Sequence, residues 1–209
     1  MSEQSKKEEL LNAWSHGLGA VLGVVGLILL IINVDTNKPW YLFSVIVYGF
    51  SIIILFTASS AYHAITNYDL KQKFRIVDHI SIYLLIAGTY TPVLLIALPN
   101  SLGWPLFYAV WGIAFFGVIL KLFFTGRFEF FSTLLYLVMG WLVVFDFTTL
   151  SELVDPNGIL WLFSGGLFYT VGIVFYAIHK IPYNHVIWHF FVLGGAICHF
   201  MMMYFYNLW

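Results

Sequence analysis

Charge is what this sequence has least of. Only 9% of its 209 residues are Asp, Glu, Lys or Arg, against about 25% in an ordinary soluble domain. That scarcity excludes a water-facing globular surface. The formal net charge is -1, which argues against nucleic acid or any broad polyanionic partner. Cysteine occurs once, at Cys198, so no intramolecular disulfide can form. Inside an apolar run that thiol reads as a small packing residue. A signal-peptide core of about 7–15 residues ending in a small-residue cleavage site is also missing: the first apolar run is longer and no such site follows it, so the first span is expected to be retained. Residues 186–209 contain no lysine, which rules out a retinal Schiff base in the last span. No linker is long enough to divide the chain, and no internal repeat is visible, so residues 1–209 are expected to form one domain, with 1–16 as a cytoplasmic N-terminal segment.

What remains is apolar. Hydrophobic residues make up 61% of the chain and aromatics 20%. A helical span needs about 20 predominantly apolar residues, and seven stretches qualify, near 17–34, 40–64, 76–98, 102–124, 128–150, 159–178 and 186–208. The breaks carry turn chemistry, such as Asp155-Pro156-Asn157-Gly158 and Lys180-Ile181-Pro182-Tyr183-Asn184. The expected fold is an all-α membrane protein, a bundle of seven transmembrane helices.

All nine Lys and Arg fall near span ends. Lys6, Lys7, Lys71, Lys73, Arg75, Lys121, Arg127 and Lys180 share one set of loops, and Lys38 alone lies on the other. Positive residues stay inside, so the N-terminus is expected in the cytoplasm and the C-terminus outside. That direction is opposite to receptors coupled to G proteins. Six of the seven histidines then lie toward the cytoplasmic face, and only His199 sits at mid-membrane.

Within that layer, Ser59 and His63 are four residues apart, as are His185 and His189 in HVIWH. Each pair therefore shares a helical face, with Cα atoms about 6 Å apart along the axis. Two imidazoles at that spacing can grip one cation, although the Glu of HExxH is absent. His63 would add a third nitrogen, giving the three-ligand pattern of a catalytic zinc site with one position open. Asp78, at similar depth, could hold or deprotonate a water there. Each residue also has a plainer reading: interfacial histidines bond headgroups and water, Asp78 can pair with Arg75, and a helical Ser bonds its own backbone. Their conjunction weighs toward function, because ionisable groups inside a membrane are costly.

The set Ser59-x3-His63, Asp78 and His185-x3-His189 resembles the motifs of the CREST superfamily, which includes the PAQR proteins. It gathers alkaline ceramidases, the progestin and adiponectin receptors and bacterial haemolysin III proteins. EELLNAWSHGLG, SSAYHA, DHISIYLLIAGTYTP and HVIWHFFVLGGAICHF resemble haemolysin III most, over nearly the whole chain from Glu9 to Asn207. The resemblance implies a seven-helix bundle in the bacterial plasma membrane. It also implies Zn2+ held by His63, His185 and His189, Asp78 beside the water that the metal would hold, and Ser59 behind the ligands.

Other features read as architecture. Gly19-x3-Gly23 and Gly194-Gly195 permit close helix packing. Pro92, at the end of GTYTP, should kink span three and open volume inside the bundle. Asp146 reads as a helix–helix hydrogen bond, His199 as packing, and Asn12, His16 and His79 as neighbours of the site rather than ligands. Three function classes stay open: a zinc-dependent hydrolase of a membrane-lipid amide or ester, with Asp78 as base and Ser59 assisting at the oxyanion; a non-catalytic sensor of membrane lipid state; and a membrane-damaging cytolysin. No span offers the polar face a conducting path needs, which counts against the third.

Overall fold

The computed structural model of the chain describes residues 4–206; the last two residues of the expected seventh span lie outside them. Helix α1 (Lys6–Asn33) starts behind a reciprocal cap: the Ser5 hydroxyl accepts the Glu8 N–H at 3.3 Å, and the Glu8 carboxylate accepts the Ser5 N–H at 2.8 Å. The helix therefore begins well ahead of the apolar run at 17, and Lys6–His16 are its first turns rather than a separate segment. Next come α2 (Tyr41–Ala64), α3 (Tyr68–Pro92) with a π-helical turn at Val93–Ala97, and α4 (Gly103–Phe124). The fifth span is α5 (Glu129–Gly140), a 3-10 turn (Leu142–Asp146) and α6 (Phe147–Leu153); α7 (Pro156–Ala177) and α8 (Asn184–Phe205) complete the chain. Together they supply 7 helical segments long and apolar enough to cross a membrane.

Helix α1 packs on α2, α2 on α3, α3 on α4 and α7 on α8, while α8 returns to α1 and brings the last helix beside the first. Close approach of α1 to α2 depends on small residues. A Cβ on Gly19 would stand 2.7 Å from the Phe56 ring, and one on Gly23 2.8 Å from Ile52. The outside of the bundle is apolar, with Leu18, Val21, Val25 and Ile28 of α1 exposed, whereas Asn12, Ser15, His16, His63, Asp78 and His189 are buried. Polar groups inside and apolar groups outside is the arrangement a bilayer demands.

Two irregularities shape the interior. Pro92 cannot donate to the carbonyl four residues before it, and the chain continues as a π turn. Beside it the Thr89 and Thr91 hydroxyls donate back to Leu85 and Ala87 carbonyls, each at 2.8 Å. Facing this kink, the fifth span breaks where it was expected to be continuous. The Tyr90 hydroxyl inserts there, donating to the Gly140 carbonyl at 2.9 Å and accepting the Val143 N–H at 3.0 Å. A side chain wedged into the ladder is a recognised cause of such a break, and here it also satisfies the groups it frees. Between kink and break lies a cavity of about 120 Å³ with walls such as Leu55, Leu85, Val93, Val143, Leu162 and Val192. Asp146 accepts the Leu102 N–H at 2.9 Å, holding the break against the start of α4. His199 lines the same cavity and lies 3.2 Å from the Leu162 carbonyl, with its other nitrogen buried and unpartnered.

Candidate metal centre

Three helices meet at the end of the bundle that carries most of the histidines. His63 lies at the last turn of α2, and His185 and His189 on the first turns of α8. One nitrogen from each lies within 4.8 Å of the other two. The ring centroids are 4.7–5.1 Å apart. These are the only such groups of three potential ligands among the described residues.

The decisive detail is which nitrogens carry protons. The His63 Nδ1 lies 2.7 Å from Glu9 Oε2. A carboxylate only accepts, so Nδ1 is the donor of that pair, which leaves Nε2 for a further ligand when the imidazole is neutral. That Nε2 is buried with no partner. On the other side, the Ser15 hydroxyl donates its one proton to the Asn12 carbonyl at 3.0 Å. The same hydroxyl lies 3.4 Å from His189 Nδ1; with its proton on Asn12 it would accept from Nδ1 and leave His189 Nε2 for a ligand. His16 stacks on His189 with centroids 3.6 Å apart and planes 8° apart, fixing the ring's tilt. An orphaned buried lone pair is expensive unless something takes it. The donor set therefore fits a borderline-soft cation such as zinc, and α1 orients two of the three imidazoles toward it.

Asp78 stands outside the group of three. Ser59, His63 and Arg75 lie close to its carboxylate. His79, also buried, does not reach the site; it lies 3.8 Å from Glu129 on another face. Sequence reasoning brought His63, His185, His189, Asp78 and Ser59 to one end of the bundle and left out Glu9 and Ser15. Glu9 sits in KKEE and looks like a solvated tail. Its spacing to His16 on one helix was the available signal, because a helix long enough to place His16 against the site carries Glu9 with it.

Residues 4–200 match the sequence model of the family described as Haemolysin-III related. The chain belongs to that family. Over 206 residues it is 44% identical to "Hemolysin-3" of Bacillus cereus, covering 98% of this chain and 94% of the relative. It is 43% identical over 201 residues to the "Hemolysin-3 homolog" of Bacillus subtilis (strain 168), covering 96% and 94%. A more distant similarity, 26% over 208 residues, joins it to the human "Monocyte to macrophage differentiation factor", with 97% of this chain and 83% of that protein covered. This haemolysin III-related protein is thus a multi-pass protein of the bacterial cell membrane type, with a buried three-histidine group that can hold a metal.

Proposed function

We infer that the protein is a zinc-dependent hydrolase of an amide or ester in a membrane lipid. The observation that carries the reading is the three-histidine group itself, with the Nδ1 atoms of His63 and His189 each set against a polar side chain of α1, beside the buried Asp78. His63, His185 and His189 would hold the ion. A bound zinc would supply Lewis acidity and lower the pKa of the water it holds from about 15.7 to about 7. Asp78 accepts the proton of the attacking water. Ser59, close to Asp78, would assist at the developing oxyanion. The apolar cavity beyond Trp188 and Tyr176 accommodates part of an acyl chain. The relatives' name speaks of haemolysis, yet the interior cavity is lined mainly by apolar and aromatic side chains rather than the polar surface a conducting path needs, which counts against a pore.

Comparing the lipids of membranes holding wild type with those holding His185→Ala tests the reading. At least one lipid amide or ester is expected to fall, and its fatty acid to rise, with the wild type alone. Identical inventories would sink the hydrolase and favour a structural ion tying α2 to α8 in a lipid sensor.

Glu9 acts through His63. Glu9→Ala leaves Nδ1 without its acceptor, and zinc affinity is expected to drop about 10- to 100-fold, the usual cost of losing such a partner. Glu9→Asp should recover part of it. Titration against a competing chelator measures both, and unchanged affinity in Glu9→Ala would remove Glu9 from the site.

The whole chain acts as one seven-helix unit, and the lysine and arginine asymmetry supports a cytoplasmic site. A reporter that works only outside the cytoplasm should be active after Trp209 and silent before Met1. The reverse result would move the site to the other face.

A further inference from the structure

The histidine end of the bundle holds a second concavity that the hydrolytic chemistry does not use. This cleft of about 400 Å³ opens among α3, α5, α7 and α8, with Arg75, Glu129, Thr133, His179, Asn184 and His185 in its walls. His185 belongs to the metal centre as well, so the cleft reaches that centre from the side. Arg75 is the fixed cation in it. A guanidinium carries five N–H donors and does not lose its charge, yet Arg75 has spent almost none. Its Nε is buried without a partner, and Nη2 lies 3.7 Å from Glu129 Oε1, beyond hydrogen-bond length.

Arg75 forms no hydrogen bond to the nearby Glu129. Glu129 already accepts Lys121 Nζ at 2.7 Å and the Gly126 N–H at 2.9 Å. Lys121 is only 1% exposed, so that pair is the stronger claim on Glu129. A half-buried fork of donors thus borders the cleft without a hydrogen bond to the protein. Planar paired donors match the oxygens of phosphate in a way a lysine ammonium does not.

We propose that this cleft binds an anionic phosphate group on Arg75, carried by a lipid whose acyl linkage lies toward the three histidines. The phosphate contact stands without the hydrolase reading; the placement of the acyl linkage rests on it. A headgroup held at Arg75 selects phospholipids over uncharged lipids of the same chain length.

The probe is purified full-length protein in neutral detergent, given phosphatidylglycerol and an uncharged diglucosyl diacylglycerol with matched acyl chains. Retained lipid is measured by mass spectrometry, with inorganic phosphate as a competitor in a parallel sample. Wild type should hold the phospholipid in about tenfold excess, the scale of a charge-assisted hydrogen bond. Arg75→Gln should bring the ratio to about one, and Arg75→Lys should leave it between. Wild type with no headgroup preference and no phosphate competition overturns the proposal, whatever the variants do. Phosphate binding without phospholipid preference overturns the lipid assignment and makes a soluble phosphate the ligand. Zinc content and turnover of the uncharged lipid, read on the same samples, separate the two ideas: their loss with the preference intact strikes the hydrolase, and the converse strikes the cleft.

Discussion

A protein in which His63, His185 and His189 are all alanine should emerge from purification with essentially no zinc, where the wild type carries about one ion per chain. Three protein ligands are the working minimum of an open zinc site, and the described residues offer no second group of this kind nearby. The result should also appear in stability. A ligand that binds only the folded state raises its stability by about 2.7 kcal/mol at a hundred times its dissociation constant, so chelation should lower the wild-type melting temperature and leave that of the variant unmoved. The variant need not be unstable in itself. Removing His63 also removes a buried Nε2 that has no partner in the protein, and an unsatisfied buried group is a cost. Equal zinc in both proteins would place the metal elsewhere.

Asp78→Asn should retain that zinc and lose turnover by about 100- to 10,000-fold, the range attributed to a positioned general base. The amide keeps the size of the carboxylate, so the shape of the site survives. It cannot take a proton from water. Because Asp78 stands outside the three-nitrogen set, its loss separates proton transfer from metal retention, as no histidine substitution can. Single-turnover measurement on a lipid identified from the membrane inventory is the check. Undiminished turnover would assign the proton to another group, and a simultaneous loss of zinc would make Asp78 part of the metal's support.

The seven spans were legible because hydropathy and short turn-rich breaks are local properties, and the site because i, i+4 spacing carries two side chains on one face. What escaped depended on distant partners. Hydropathy alone started the first span near residue 17 and left 1–16 as a cytoplasmic N-terminal segment, with no signal for the partner of Glu9. The Ser5–Glu8 cap and the Glu9–His63 bond make Lys6–His16 the first turns of α1. Lys121 looked like a membrane-edge cation and is instead buried against Glu129. The break in the fifth span has no proline to announce it. Its cause, the Tyr90 hydroxyl, comes from another helix, and no pattern within residues 128–150 encodes it.

The joining of α1 to α8 has a consequence in time. A ribosome adds about 5–20 residues per second, so roughly 6 to 25 seconds pass between the synthesis of His63 and that of His185. Glu9, the partner of His63 in the finished fold, is made before either. His185 and His189 come with the last helix, so the three-histidine group is complete only once the whole chain is in place.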